Sequence, residues 1–465
     1  MKTRTPLDRR HRAAALPCPA RPFLDRLVRA GSDLGRQLAG NLDLSVRDYV
    51  ASLLPAAPPP RNPHREVVAQ ALAEVLDVAG IDDLDDVCEH LLRVPVIQQA
   101  DHANLLLDPE TFANNYLFHL GCRERGVGLM VVSQCNTVSC LSRRDPVWGP
   151  VFLRTRGGLY QVFPHSKRQL KDSTFCALPA PTRLSFDRLE GDRDLARDPL
   201  AWRLVGREVV DPSAAYRVAN DEIWDLLPIE RKTRRVQVDE SLASHAAALE
   251  ISNPHGAITR LLFDPAVRDR FHRVKRELVA SRANLTVNRA EPDHLWLRRE
   301  SRLVPVVQRR SGVRAEMTLE DGSSLPVPFR PAEVAAALRD GTLFCDRVLA
   351  YLVRCLFPAI TAVGGTSQQD YVALYRAMVL ETHRLVPFLD EDELRAVSDP
   401  GASRLGGAPL VELGPRQHRI VQELGAGADL GELEESFLDR PLAETIGSLS
   451  CAGYFHGLLA RRGEP

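Results

Sequence analysis

Between Arg93 and Arg144 the chain twice runs from a short apolar strand straight into a series of hydrogen-bonding side chains. The first strand, Val94 to Ile97, gives way to Gln98, Gln99, Asp101, His102 and Asn104; the second, Val127 to Val132, gives way to Ser133, Gln134, Cys135, Asn136, Thr137 and Ser139. Between them Asp108 is placed to cap a helix and Pro109 to open it, with Phe112, Tyr116 and Leu120 on one face at steps of four. Strand, helix, strand reads as a right-handed crossover between parallel strands, so both polar loops should leave the carboxyl edge of one sheet. Ligands of open α/β sheets bind at that edge.

The theme returns late in the chain. Ala359 to Val363 predicts a strand, Gly364 and Gly365 a tight turn, and Thr366 with Gln369 a capping box for a helix running through Glu381. A glycine turn feeding a helix N-terminus offers unpaired backbone N–H groups, so Gly364, Gly365, Thr366, Ser367 and Gln368 are the candidate cradle for a phosphate or carboxylate. Lys167 and Lys171, four apart on a predicted helix, are the one place where two lysines sit close together, and Lys171 joins the anion-binding candidates.

The expected fold is α/β, a Rossmann-like parallel-sheet core with an N-terminal helical segment, inserted strands, a helical arm and a small winged-helix-like module at the C-terminus. Residues 1–20 read as disordered and 21–92 as helical, broken by the proline-rich stretch at 56–63. The core is expected over 93–400, with an arm around 240–285, and the C-terminal module over 401–465. Within the core, alternation around Gly157 and Gly158 predicts a hairpin, and Leu295 to Val327 with its Asp321-Gly322 turn predicts two or three strands. Pro331 to Leu338 predicts a helix, and the stretch from Asp264 an amphipathic one with Val267, Phe271, Val274 and Leu278 on its apolar stripe. The segment from Asp194 to Val238 is polar, with Trp202 and Trp224 as local anchors.

Several function classes are disfavoured. The 465 residues carry a formal net charge of −1, which gives no general field toward nucleic acid or anionic lipid. From Arg404 onward six arginines face nine acidic residues, the wrong sign for a DNA-reading module. The nine cysteines are scattered and form no CxxC pair, so neither a disulfide framework nor a metal site is expected. The basic N-terminus lacks the apolar run of a signal peptide and no segment reads as membrane-spanning, which points to the cytoplasm. Of the 60 basic residues 55 are arginine, a bias that reads as codon usage in a GC-rich bacterium. Walker A, GxGxxG, HExxH and GxSxG motifs are absent, against the commonest nucleotide hydrolases, dehydrogenases, metalloproteases and esterases.

Chemistry is therefore expected from the polar loops. Asp101 and His102 are the candidate catalytic pair, because a carboxylate or imidazole at a strand end can take a proton near neutral pH. As neighbours in sequence they point apart and act singly. Gln98, Gln99, Asn104, Ser133, Gln134, Cys135, Asn136 and Thr137 are candidate substrate contacts through hydrogen bonds, and Arg143 is placed to clamp a carboxylate or phosphate. Cys135 follows a strand as a nucleophile would, but no histidine or helix start is fixed beside it to favour the thiolate.

The early strand ending in Gln98-Gln99 (PVIQQADHANLLLDPETFANNYLFHL), the polar loop after the next strand and the late LFPAITAVGGTSQQDYVALYRAMV together resemble the bacillithiol synthases, the cysteine-adding enzymes often called BshC. That family has a Gly-Gln-Gln turn early and a Gly-Gly-Pro-Gly-Glu-x-x-Tyr turn late on a Rossmann-like core with a helical dimerisation arm. Gln98 and Gln99 match the early pair, and Gly364, Gly365 and Tyr371 the late turn, which adds Tyr371 to the substrate contacts. Here Val96-Ile97 stands for the family's Thr-Gly, Thr366-Ser367-Gln368 for its Pro-Gly-Glu, and SQCNT for its acidic Glu-Asp-His-Asp segment.

The resemblance implies a ligase or transferase forming a C–N or C–S bond, in which an amine or thiol attacks an activated carbon and an anionic leaving group departs. The altered acidic segment points away from bacillithiol itself and toward specialised, antibiotic-type metabolism. Ring closure by an internal amine, as in azinomycin-type aziridine formation, is one such chemistry. In this scheme Asp101 or His102 takes the proton, and the Gly364–Ser367 turn with Arg143 or Lys171 holds the leaving group. No cofactor is required by any motif, although a nucleotide or phosphate suits the cradle. The partner class is a small-molecule amine or thiol, with a homodimer through the arm or a small accessory protein as further options and no nucleic acid or membrane. A non-catalytic scaffold that keeps the pocket for binding is the competing reading.

Overall fold

The computed structural model describes residues 21–29, 31–99, 106, 109–135, 152–155, 158–161, 175–177, 182–183, 187–190, 203, 207–209, 212–227, 229, 232–281, 293–300, 302–311, 314–405 and 438–445. The described part is an α/β structure, and its centre is an open, all-parallel sheet of five strands with helices on both faces, consistent with a Rossmann-like core. Its strands are β1 (Val96–Gln98), β2 (Leu129–Ser133), β3 (Arg234–Val238), β8 (Thr361–Gly364) and β9 (Ser403–Leu405), in the order β9-β8-β1-β2-β3. Between β3 and β8 the chain makes a separate antiparallel sheet from β4 (Leu295–Arg299), β5 (Arg302–Ser311), β6 (Arg314–Leu319) and β7 (Leu343–Cys345). The hairpin read around Gly157-Gly158 pairs Phe152–Thr155 with Gly158–Gln161.

Paired residues on parallel neighbours point to the same face. Ile97, Val131 and Ala362 are in register, and with Val236 and Val238 they form the apolar floor of the main core. Onto it pack α1 (Pro63–Val78), α5 (Ser241–Ile251) and α10 (Thr366–Leu385), while α3 (Pro109–Glu124) and α4 (Pro212–Leu226) cover the other face. β1 connects through α3 to β2 on one side, and β8 connects through α10 to β9 on the other, so the strand order reverses between β1 and β8.

Some expectations need correction. The stretch around 240–285 is no projecting arm. It comprises α5, α6 (Ala257–Phe263) and α7 (Pro265–Ser281), and all three belong to the core. Helix α5 is alanine-rich and buries every residue except the stripe Ser241, His245 and Leu249, which is only partly covered, while α7 lays Val267, Phe271 and Val274 against the core that α10 shares. The expected boundary after residue 400 also moves, because Ser403–Leu405 pairs in parallel with β8. Residues 438–445 dock on the N-terminal helices, with Val46 N–H donating to the Arg440 carbonyl at 2.9 Å and Leu442 N–H to the Leu44 carbonyl at 2.7 Å. The remainder of the winged-helix-like module lies outside the described residues. The helical stretch from His64 to Leu92 divides into α1 and α2 (Leu84–Arg93), because Gly80 (φ 64°) and Asp83 (φ 62°) adopt left-handed conformations. Among the described residues no helix is long and apolar enough to cross a membrane.

Buried histidines set a pH optimum for stability. His64, on α1, lies 2.7 Å from the Glu250 carboxylate of α5 and 3.5 Å from Glu393 of α11 (Glu391–Ser398). Burial opposes its charge, but hydrogen bonds to Glu250 and Glu393 outweigh it and bring the pKa up to about 10 from 6.5. Its stabilisation is therefore complete below pH 6.5 and is lost as pH rises through 10. His90 and His119 go the other way, since burial, helped by Arg93 and by Arg123 with Lys232, holds them down at about 4. They favour folding above pH 6.5 and lose that contribution as pH falls toward 4. Urea midpoints should accordingly peak near pH 6.5, and His64→Gln should flatten only the alkaline limb, which carries about 2–4 kcal/mol. An alkaline limb unchanged in that variant would contradict the assignment.

Candidate functional site

The strand order reverses between β1 and β8, and in open α/β sheets that switch point is where a ligand crevice is expected at the carboxyl edge. Gln99 and Gly365 stand at its two lips, and Gln99 N–H donates to the Val363 carbonyl at 2.7 Å. The glutamine pair splits across the sheet. Gln98, fully buried, is in register with Val132 and Val363 on the face covered by α3, whereas Gln99 follows Ile97 onto the main-core face.

Four residues from outside the expected set converge on that second face. Glu240, the N-cap of α5 two residues beyond β3, is buried and accepts a hydrogen bond from the Cys135 thiol at 3.0 Å. Arg347 and Tyr351 come from α9 (Arg347–Tyr351), and Arg354 from the π turn that continues it, Leu352–Leu356. The Asp346 side chain caps α9 by accepting from Leu349 N–H at 2.8 Å, which fixes the direction of this polar stripe. Arg354 is 4% exposed and donates through Nη1 to the Ser133 hydroxyl at 2.8 Å. Tyr351 hydrogen-bonds Gln99, and the Cys355 thiol lies 3.7 Å from Gln99 Oε1. The Arg347 guanidinium stacks over the Tyr371 ring, 5.1 Å from its centroid, and Tyr371 in turn stacks with Tyr375 at 6.3 Å. Cys135 is close enough to Arg347 and Tyr351 to influence their charge.

The edge thus gathers an acidic residue, Glu240, beside Cys135, and two arginines, Arg347 and Arg354, with Tyr351, Tyr371 and Gln99 among them. Burial pushes the Tyr351 and Tyr375 hydroxyls well above their ordinary range and the Cys355 thiol up to about 11, so all three remain protonated donors.

Of the expected site residues, Gln99, Ser133, Cys135 and Tyr371 face this group, while Gln134 is buried beside it with its N–H on the Val238 carbonyl at 3.0 Å. Asp101, His102, Asn104, Asn136, Thr137, Arg143 and Lys171 lie outside the described residues, as do the side chains of Thr366 and Ser367. The glycine turn differs from its expected form. Gly365 (φ −74°) is the N-cap of α10, one residue before the Thr366 at which the capping box was expected to begin, and the side chain of Gln369 also lies outside the described residues. Gly364 serves close approach instead of turn geometry. The Gln368 carboxamide folds back over it to donate to the Ala362 carbonyl at 3.1 Å, and a Cβ at Gly364 would overlap that carboxamide. Gln368 is thereby committed to the strand, and the cradle is left to backbone N–H groups at the start of α10.

A signal for the missed residues is present in DRVLAYLVRC. Arg347, Tyr351 and Arg354 recur at steps of four and three, a polar stripe on an otherwise apolar helix. Glu240 was obscured because RRVQV does not look like an inner strand.

No protein-family model matches the chain, and no curated protein matches it.

Proposed function

We propose that the chain is an enzyme that joins an amine or thiol to an activated carbon, the chemistry implied by its resemblance to the bacillithiol synthases. The observation that supports it is the gathering of a buried carboxylate, Glu240, and two arginines, Arg347 and Arg354, around Cys135 and Ser133 at the carboxyl edge of the sheet. The step balances without a redox partner: the nucleophile's lone pair forms the new C–N or C–S bond while the bond from carbon to the leaving oxyanion breaks with its electron pair. Glu240 takes the N–H or S–H proton, and Arg347 with the α10 N-terminus meets the charge that grows on the leaving group. Gln99, Ser133 and Tyr371 orient the substrate, and closing the site against water protects the activated carbon from hydrolysis. When amine and leaving group belong to one molecule, the same arrangement closes a ring.

The reading is tested by alkylating Cys135 with iodoacetamide and quantifying each cysteine peptide. A ligand at the crevice at ten times its Kd should slow Cys135 about tenfold, while Cys88, half-buried and bonded to the Ala69 carbonyl on the far side of the core, keeps its rate. Cys135 reactivity indifferent to phosphate, sulfate, amines and thiols alike would move the site elsewhere.

A further inference from the structure

We infer that Arg354 is the seat of a compact oxyanion, phosphate or carboxylate in class, bound between the carboxyl ends of β1 and β2. The inference deepens the reading of this crevice as the substrate site, on which it rests, but it does not depend on the reaction. A buried guanidinium needs a counter-charge or a full set of acceptors. Arg354, 4% exposed, has the Ser133 hydroxyl on Nη1 and a bond with the Cys355 thiol, and its Nε has no partner. Among the described residues it forms no ion pair.

Other buried arginines of this chain are served differently. Arg235 reaches Asn115 Oδ1 at 3.0 Å, the Asp221 carboxylate at 3.3 Å and Gln237. Arg65 donates to the carbonyls of Pro358 and Pro60. Arg268 also has an unpartnered Nε, but Asp264 and Asp269 flank it. Arg354 combines burial and an open Nε at the carboxyl ends of β1 and β2, and forms no ion pair among the described residues.

A second donor points the same way. The Tyr375 hydroxyl is fully buried without a partner, its ring 5.8 Å from that of Tyr351. Both open donors therefore belong to the group around Tyr351. The π turn that carries Arg354 is itself a departure from regular helix of the kind that proteins keep at functional sites. Guanidinium Nε beside an Nη is the geometry that takes two oxygens of one anion.

The experiment compares melting temperatures of the full chain, in buffer without oxyanions, on titration with inorganic phosphate, pyrophosphate and succinate. Wild type should rise with at least one of them, phosphate and succinate separating a tetrahedral from a planar preference. Arg354→Met, which removes the charge and keeps the stem, should melt at or above the wild-type temperature without anion and should not respond to it. Arg354→Lys, with charge but no fork, should respond with about tenfold weaker half-saturation. A Met variant that responds like wild type, or that fails to fold, makes the guanidinium structural and overturns the seat. So does a wild type indifferent to all three anions. Anion binding that follows Arg354 with no nucleophile-dependent turnover would keep the seat and remove the bond-forming reaction.

Discussion

Glu240→Gln is expected to lower turnover by about 10²–10⁴-fold, the usual contribution of a positioned general base, while leaving the melting temperature close to wild type. Glutamine has the same shape and can still accept from the Cys135 thiol now 3.0 Å from the carboxylate, so the packing at the start of α5 survives. What disappears is the ability to hold a proton. Rate loss with unchanged ligand-induced stabilisation would place Glu240 in the chemical step, and equal loss of both would reduce it to a binding group. His102→Ala in the same assay decides the alternative read from the sequence: an unchanged rate removes His102 from the mechanism, and a loss as large as that of Glu240→Gln would make His102 the base.

Arg235→Ala should produce the largest loss of stability, about 3–5 kcal/mol, because it removes a fully buried side chain and strands the buried acceptors of Asn115 and Gln237. The Arg235 side chain is 1% exposed and ties β3 to α3 through Asn115 and to α4 through Asp221. Its partner Gln237 is held in turn by Asn220 at 3.0 Å, whose Oδ1 accepts from Leu106 N–H at 2.8 Å. Removing the guanidinium therefore unties one whole face of the parallel sheet. Arg235→Met separates the causes, since methionine restores most of the buried volume. Urea unfolding of the Met variant should remain more than half as destabilised as alanine, and a Met variant as stable as wild type would show that volume, not the network, is what α3 and α4 require.

The same residue explains part of what the sequence hid. β1 and β2 were legible because each is apolar up to its last residue and then turns polar at once, and β8 because its glycines mark the exit. β3 was not, since Arg235 and Gln237 occupy the positions that Met130 and Val132 hold in β2. The polar network beneath that face satisfies them, and no local pattern announces it. Helix α5 was read as part of an arm because the resembled family carries one, while SLASHAAALEI, poor in large side chains, gives no local sign of a core helix. Small residues are what allow α1 and α8 (Pro331–Arg339) to approach it closely, and that depends on partners distant in sequence.

Legibility of the site divides in the same way. Strand-end residues such as Gln99, Ser133 and Cys135 were found because position alone marks a strand end, and their facing was not. Alternation sends Gln98 and Gln99 to opposite faces, so a dipeptide that looks like one recognition element is two. The cations came from a helix that follows β7, where the sequence focus on Arg143 and Lys171 did not look. Gly364 was correctly marked as a position without a side chain, but for close approach of Gln368 and not for left-handed backbone.

The most direct test of the central claim is the release of an oxyanion from an activated substrate by the wild-type chain, measured with and without an added amine or thiol. Release should rise with nucleophile concentration and saturate, with one new C–N or C–S bond for each anion freed. Release that proceeds equally without nucleophile would make the chain a hydrolase, and binding of the substrate with no release under either condition would make the crevice a ligand site without chemistry.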